Sequence, residues 1–161
     1  MGFKETGVIT PKELEEKNLL PPKERLMKGP VVIIECPEEI PCNICVDACP
    51  FKAISMDRIY DIPRVDWEKC TGCATCVPQC PGLAIFVVDL SRDDKAFITL
   101  PYEFKPEPVK GAIVDLLDRE GRVVGKGRIV KAYSYDKTWA VTVEIPRDKW
   151  LEVRGIWIPR K

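Results

Sequence analysis

Apolar and polar residues alternate along the stretch TWAVTVEIP, residues 138–146. This period of two residues predicts an extended strand with one buried face and one face of mixed character. The two faces would be Trp139, Val141, Val143 and Ile145 on the apolar side, and Ala140, Thr142 and Glu144 on the other.

The neighbouring segments predict further strands joined by tight turns. Residues 111–133, GAIVDLLDREGRVVGKGRIVKAY, hold two apolar stretches around a turn that ends at Gly121. A last strand is expected within WLEVRGIWIP, residues 150–159. Because the proline-rich segment PYEFKPEP at 101–108 predicts a linker, residues 101–161 are expected to form a small all-β domain, an antiparallel barrel or sandwich.

The middle of the chain predicts shorter elements, with helices between strands. The apolar run at 31–35 suits a buried strand, and AIFVVDL at 84–90 suits another. The remaining elements expected here are short strands at 54–57 and 64–66 and helical turns at 43–49 and 77–80. Residues 31–100 are therefore predicted to be an α+β domain built from two βαβ-like units.

Residues 1–30 form a polar N-terminal arm that is interrupted by prolines. Thr10 and Glu13 have the spacing of a capping box, and Pro11 stands at the first helical position. A short helix should run from there to about Leu19 and end before the proline pair that follows. Since the arm has few apolar residues of its own, it is expected either to lie on the rest of the chain or to dock on a partner.

Composition and charge narrow the classes of function. The 161 residues carry 25 Lys plus Arg and 25 Asp plus Glu, so no excess of basic charge is available for binding nucleic acid. The absence of histidine excludes Ser-His and Cys-His catalysis, Rieske ligation and histidine-containing zinc sites. The apolar runs are too short to cross a bilayer, and the first residues lack the apolar stretch of a secretory signal. These features predict a cytoplasmic protein, and the abundance of Ile, Val, Lys, Glu and Arg is typical of a thermophilic source.

The eight cysteines indicate metal binding, because disulfides are rare in cytoplasmic proteins. Zinc held by the pairs Cys42/Cys45 and Cys73/Cys76 is one alternative. The separation of the two pairs exceeds the usual zinc-ribbon spacing, however, and the other four cysteines would have no role. Iron–sulfur ligation accounts for all eight.

The second cysteine run, CTGCATCVPQCP at 70–81, has a specific spacing. Two residues, two residues and three residues separate its four cysteines, and a proline follows, as in bacterial [4Fe–4S] ferredoxins. Three cysteines two residues apart can surround one cubane cluster. The fourth, Cys80, comes on the next helical turn and would reach a neighbouring cluster, and Pro81 ends that turn.

The first cysteine run, CPEEIPCNICVDACP at 36–50, repeats the second with one change. Five residues, instead of two, separate Cys36 from Cys42. The longer loop can still bring a thiolate to the same corner, because closing it costs only about a few tenths of a kcal/mol more. The repeated positions are Cys42, Cys45, Cys49 and Pro50, which correspond to Cys73, Cys76, Cys80 and Pro81. The two runs are therefore two versions of one βαβ-like unit.

Crossed ligation follows for a protein with two such runs, since the fourth cysteine of each run binds the other cluster. The first cluster would take Cys36, Cys42, Cys45 and Cys80, and the second cluster would take Cys70, Cys73, Cys76 and Cys49. As an alternative, Cys36 would be a buried strand residue and the first site would hold a three-iron cluster.

The two runs, with both prolines in place, resemble the bacterial-type two-[4Fe–4S] ferredoxins over residues 31–90. This resemblance implies a pseudo-two-fold (βαβ)2 fold around two clusters. The runs together with the tail segments DREGRVV and VRGI are also similar to the ferredoxin-like subunits of multi-subunit FAD-dependent amino-acid dehydrogenases of the dye-linked L-proline type. In that family the partner subunits carry FAD and oxidise the amino acid, and the iron–sulfur subunit passes electrons.

The resemblance therefore implies an electron-transfer subunit, not catalytic alone, in a hetero-oligomer with FAD-containing dehydrogenase subunits. The residues agree with this, since the chain has no Rossmann glycine run, no P-loop and no CxxxCxxC triplet. Two alternatives stay open. One is a freely diffusing ferredoxin with an additional tail, and the other is a redox-sensing or structural interaction module.

Overall fold

The computed structural model of the protein describes residues 11–16, 20–35, 46, 48–56, 58, 63–79, 85–92, 94–103, 107–135 and 138–158. Within these ranges the chain is mostly β-structure with few helices. The helical elements are α1 Pro11–Glu16, α2 Lys23–Met27 and two 3₁₀ turns, Val77–Gln79 and Arg147–Lys149. The strands are β1 Val31–Ile34, β2 Ile54–Ser55, β3 Arg64–Val65, β4 Ile85–Asp89, β5 Lys95–Tyr102, β6 Ile113–Leu117, β7 Val123–Tyr135, β8 Thr138–Pro146 and β9 Gly155–Trp157.

Seven of these strands form one sheet, in the order β1-β4-β5-β8-β7-β6-β9. Every neighbouring pair in it is antiparallel. Strands β2 and β3 form a separate antiparallel hairpin. The large sheet thus contains strands from both sides of the boundary that was predicted at residues 100 and 101.

Strand β5 connects the two parts of the sheet, and the sequence analysis did not predict this strand. It pairs with β4 on one side and with β8 on the other. The β-structure of residues 101–161 thus shares one sheet with β1, β4 and β5, and the predicted linker starts too early, since Pro101 and Tyr102 belong to β5. The alternation of Ala96, Ile98, Leu100 and Tyr102, all buried, is the signal that could have revealed the strand.

The predicted elements around the cysteine runs are found where the structure describes them. Strands β1, β2, β3 and β4 lie at the expected positions, and the helical turn expected at 77–80 is the 3₁₀ turn Val77–Gln79. Of the helix expected at 43–49, the structure describes Val46 and Ala48, which are helical, and Cys49, which follows them. Much of the first βαβ-like unit lies outside the described residues, so the pseudo-two-fold arrangement stays a prediction.

Strands β1 and β4 are buried on both faces, because each face meets a different apolar core. Alternate side chains of a strand point to opposite faces, which explains why both strands are continuous apolar runs. One set of residues, Val31, Ile33, Phe86 and Val88, joins the sheet core, which also includes Ile98, Leu116, Ile129, Val143 and Ile156. The other set, Val32, Ile34, Ile85 and Val87, joins the cysteine core, which also includes Ile54, Ala74, Cys76, Val77 and Ala140.

Within its described residues, the N-terminal arm contains two short helices where one was expected. Helix α1 begins at Pro11 as predicted, whereas its predicted end at Leu19 lies outside the described residues. Helix α2 was not predicted and starts directly after Pro22. Its Leu26 is buried in the sheet core, and the backbone carbonyl of Leu26 accepts a hydrogen bond of 3.1 Å from the amide of Leu90. This part of the arm therefore lies on the rest of the chain.

Candidate metal centre

Four cysteines line one cavity: Cys49, Cys70, Cys73 and Cys76. They are the set that was predicted for the second cluster, and the structure brings them together from the two separate cysteine runs. Cys49 follows the helical residues at 46 and 48, and the other three lie in the loop before the 3₁₀ turn. Val32, Ile54 and Val87 are among the apolar residues that line the same cavity. The role of the four cysteines as cluster ligands stays a prediction.

The set that was predicted for the first cluster lies outside the described residues. It consists of Cys36, Cys42, Cys45 and Cys80. The first cluster, and the alternative of a three-iron cluster at that site, are therefore not tested by this structure.

The loop that carries Cys70 to Cys76 curls tightly through two residues with positive φ. Gly72 has φ 72° and Ala74 has φ 65°, values that residues with side chains rarely adopt. A Cβ atom at position 72 would lie 2.4 Å from the Cβ of Pro30. Glycine is therefore required between Thr71 and Cys73 both by its φ and by the neighbouring backbone.

Hydrogen-bond donors approach three of the four sulfurs. The amide of Val32 lies 3.4 Å from Cys70 Sγ, and the amide of Ala53 lies 3.4 Å from Cys49 Sγ. Cys73 Sγ and the hydroxyl of Thr75 are 3.2 Å apart. The sequence analysis did not identify Val32 as a donor, because it lies in strand β1, far along the chain from Cys70. Donors to the sulfurs tune the reduction potential of iron–sulfur clusters.

The pKa values of Cys76 and Cys73 are shifted in opposite directions. Burial raises the pKa of Cys76 to about 12, with further contributions from the negative charges of Cys70, Cys49 and Cys73. Burial also acts to raise the pKa of Cys73, but hydrogen bonds from Thr75 and Thr71 outweigh it, and the pKa is lowered from its ordinary value. Four neighbouring thiolates repel one another unless positive charge lies between them, which bound iron would supply. The donor set fits an iron–sulfur cluster on this ground.

No three Cys, Asp or Glu side chains of the described ranges converge as ligands of one metal ion. A cubane cluster does not require several side chains to converge on one ion, since each thiolate binds its own iron. The zinc alternative requires Cys42 and Cys45, which the structure does not describe, so it is not tested.

Arg25 of helix α2 connects the N-terminal arm to the ligand loop. Its Nε donates to the carbonyl of Trp67 at 2.8 Å, and its Nη2 donates to the carbonyl of Cys70 at 2.7 Å. The same guanidinium donates to the carbonyls of Pro30 at 3.1 Å and Gly29 at 3.3 Å. One arginine thus ties together three chain segments, and no sequence motif pointed to it.

Tyr133 of strand β7 contacts the same loop from the C-terminal side. Its hydroxyl donates to the carbonyl of Ala74, and its ring packs against the cysteine core. Burial raises the pKa of Tyr133 to about 12, and the nearby charges of Cys76 and Cys73 contribute to the increase. The tyrosine is therefore neutral at physiological pH. The C-terminal strands thus contact the loop that carries these cysteines.

A buried charged group lies where strand β1 leads into the first cysteine run. Glu35 accepts two hydrogen bonds from Arg119, at 2.6 and 2.9 Å, and one from Arg154 at 2.8 Å. The three side chains are only 4%, 9% and 5% exposed, respectively, so the group is shielded from water. The guanidinium of Arg154 also lies 5.2 Å from the centre of the Phe86 ring. Two arginines of the C-terminal region therefore hold Glu35, which directly follows strand β1 and precedes Cys36 in the sequence.

Comparison with known proteins supports the iron–sulfur interpretation. Residues 40–84 match the model of the 4Fe-4S dicluster domain. This segment is a ferredoxin-type iron–sulfur domain. The matched segment includes seven of the eight cysteines and leaves out Cys36 and the tail after residue 84.

Curated relatives match over limited parts of the chain. A ferredoxin of Pyrobaculum islandicum is 40% identical over 60 residues, which are 37% of this chain and 55% of that protein. The polyferredoxin-like subunit of the aliphatic sulfonate oxidoreductase of Pyrococcus furiosus is 42% identical over 53 residues, 33% of this chain and 28% of the relative. The methylamine utilization ferredoxin-type protein MauM of Methylophilus methylotrophus is 47% identical over 47 residues, 24% of this chain and 21% of the relative. The chain thus covers about half or less of the length of each of these three relatives.

The other comparisons add two observations. The search of solved structures gave no match. In the part of the chain that the structure describes, no helix has the length and apolar composition that crossing a bilayer requires.

Proposed function

We propose that this protein is an electron-transfer subunit that carries two [4Fe–4S] clusters and accepts electrons from a flavoprotein partner in an amino-acid dehydrogenase complex. The observation that carries the proposal is the cavity in which Cys49 of the first run meets Cys70, Cys73 and Cys76 of the second. This is the crossed arrangement expected when two such runs share two clusters. The spacing of the first run supports a second, equivalent set.

Each cluster, when bound, takes up and releases one electron at a time. The residues of this chain hold it, shield it and provide a route to the surface. Cys76 is buried, and Cys73 is exposed. A partner would therefore come closest to the second cluster on the side of Cys73, beside the half-exposed ring of Phe51. Two one-electron centres suit a reduced flavin, which gives up two electrons.

Membership in a complex is supported by an exposed apolar surface on strands β6, β7 and β9. Ile113, Val123 and Trp157 are 59%, 61% and 52% exposed. The strand register places them on one face at the β9 end of the sheet, since Trp157 pairs with Asp115, and Val123 pairs with Leu117. Exposed apolar patches of this kind are typical of protein interfaces. The name of the Pyrococcus furiosus relative, an oxidoreductase subunit, agrees with this proposal.

Cluster content is the first test. Protein purified without oxygen should contain about eight iron and about eight acid-labile sulfide per chain, as two cubanes require. About four of each would contradict the two-cluster proposal. The Cys36→Ser and Cys73→Ser variants should each perturb a different cluster, which tests the two ligand sets separately.

The partner is tested by anaerobic affinity purification from the native host. We expect the protein to be recovered with FAD-containing subunits. We also expect the visible iron–sulfur absorption to bleach when an amino acid is added. Recovery alone with both clusters intact would instead indicate a freely diffusing ferredoxin, the alternative favoured by the match to the Pyrobaculum islandicum ferredoxin. Recovery with partners but without reduction by any amino acid would indicate a sensing or structural module.

A further inference from the structure

Arg25 occupies an unusual position for an arginine of a surface helix. Its four hydrogen-bond acceptors are backbone carbonyls of Gly29, Pro30, Trp67 and Cys70. All four are neutral, so these contacts orient the guanidinium without cancelling its charge. The shortest of them, 2.7 Å, is to the carbonyl of Cys70, a predicted ligand of the second cluster. A positive charge is therefore hydrogen-bonded to the backbone of the residue that carries this sulfur.

The chain that follows Arg25 encloses the same cysteine. Pro30 packs so closely on the ligand loop that only glycine fits at position 72. The amide of Val32 then reaches Cys70 Sγ at 3.4 Å. Residues 25–32, which we call the N-terminal strap, thus contact the loop through the Arg25 side chain, the Pro30 backbone and the Val32 amide. Three independent contacts indicate that the strap is built against this ligand.

Charge and solvent exposure near a cluster set its reduction potential. Reduction adds a negative charge, so a neighbouring cation favours the reduced form, and the effect is larger where little water screens it. Arg25 is partly buried beside Trp67, which packs against the sheet core. Arginine also stays charged at any physiological pH.

We propose that Arg25 is a positioning residue of the second cluster, which holds the Cys70 end of the ligand loop and raises the reduction potential of that cluster through its charge. The inference rests on the proposed function, since it requires that the second cluster is present. It assigns the N-terminal arm a role in the redox centre, in place of a role as a free docking arm.

The test measures the reduction potential of both clusters by anaerobic potentiometric titration with electron paramagnetic resonance, in the full-length protein. The variants are Arg25→Gln, which removes the charge, and Arg25→Lys, which keeps it. Arg122→Gln is the matched control, because its side chain is 76% exposed and loses the same charge. The signal that changes in Cys73→Ser identifies the second cluster.

In Arg25→Gln the second cluster should become harder to reduce. The ratio of reduced to oxidised cluster at a fixed solution potential should fall about tenfold, which corresponds to about 59 mV for a one-electron couple. The first cluster should change less, Arg122→Gln should change neither, and Arg25→Lys should restore most of the potential. Selective loss of the second cluster in Arg25→Gln, with retention in Arg25→Lys, would equally support the proposal.

Other outcomes would overturn it. A potential in Arg25→Gln no different from that of Arg122→Gln would exclude an effect of the charge. A rise in potential would indicate that water enters the loop, and an equal fall in Arg25→Lys would show that packing, not charge, matters. Loss of both clusters in all Arg25 variants would mean a general role in folding. If the wild-type protein itself lacks two clusters, the proposed function fails, and the result is distinct from all of these.

Discussion

The two faces of strands β1 and β4 meet cores of different chemistry. The sheet core is large and built from aliphatic side chains of seven strands. The cysteine core is smaller, includes Cys76, and is enclosed by loops, a 3₁₀ turn and the two-stranded hairpin β2–β3. One pair of strands thus separates a region that is stabilised by apolar burial from a region that holds cysteines.

This difference indicates how the two regions are stabilised. Apolar burial of the sheet core is independent of any bound group, at about 25 cal/mol per Å² of buried apolar surface. The loops of the cysteine core include the positive-φ residues Lys52, Gly72 and Ala74. Binding of a metal group to such loops adds directly to their folding free energy. The sheet is therefore expected to act as the scaffold on which the cysteine region is ordered.

Cluster removal should produce the largest effect, and it should affect the cysteine region and leave the sheet unchanged. After anaerobic chelation of iron, backbone amides of β2, β3 and the loop 70–76 should lose most of their protection from hydrogen exchange. Amides of β5 and β8 should keep theirs, because the buried residues of the sheet core include no cysteine and only Cys70 packs against its edge. Hydrogen exchange measured by NMR with and without chelator distinguishes the regions. Equal loss of protection in both would mean that the sheet also depends on the cluster.

Removal of Glu35 should have the next largest effect, on the sheet side of the comparison. In Glu35→Ala two buried arginines lose their shared carboxylate, and the free energy of unfolding should fall by about 3–5 kcal/mol. Burial already lowers the pKa of Arg154 from its ordinary value, with Glu35 opposing that shift and Arg119 adding to it. Denaturant unfolding of the cluster-loaded protein measures the change.

Glu120→Ala is the matched control for this variant. Glu120 pairs with Arg122 on the surface, where the two side chains are 50% and 76% exposed, so its loss should cost less than about 1 kcal/mol. A similar small loss for Glu35→Ala would contradict the proposed importance of the buried group.

The smallest of the predicted effects concerns the contact between the two regions. Tyr133→Phe removes the hydroxyl that donates to the carbonyl of Ala74 but keeps the packing of the ring. The free energy of unfolding should fall by about 1 kcal/mol. Faster release of iron to a chelator is expected as well, because the ligand loop loses one support. An unchanged rate of release would show that the C-terminal strands cover the loop without stabilising it.

The cysteine chemistry could be predicted because it depends on the number of residues between consecutive cysteines. The run from Cys70 to Pro81 determines which residues can surround one cluster, and the match over residues 40–84 agrees with that interpretation. The meeting of Cys49 with Cys70, Cys73 and Cys76 also follows from the repeat. Apolar periodicity likewise predicted β1, β4, β6, β7 and β8, because burial of one or both faces leaves a regular pattern.

The contacts that surround the cysteines could not be predicted in the same way. Arg25, Tyr133 and the pair Arg119 and Arg154 are distant in sequence from the residues they support. A long polar side chain carries no periodicity that distinguishes a buried role from a solvated one. Strand β5 was missed for another reason, since the prolines that follow it suggested a linker.

The sequence by itself determined the chemical class of this protein, because the ligands of an iron–sulfur cluster must be cysteines at spacings that a short loop can satisfy. Only the tertiary structure decided that the N-terminal arm and the C-terminal strands both contact the loop that carries Cys70, Cys73 and Cys76. Strand pairing through β5 and the reach of a few arginine and tyrosine side chains bring them there. Such contacts require that segments distant in sequence lie close together. Folding brings about this proximity, and the local sequence does not encode it.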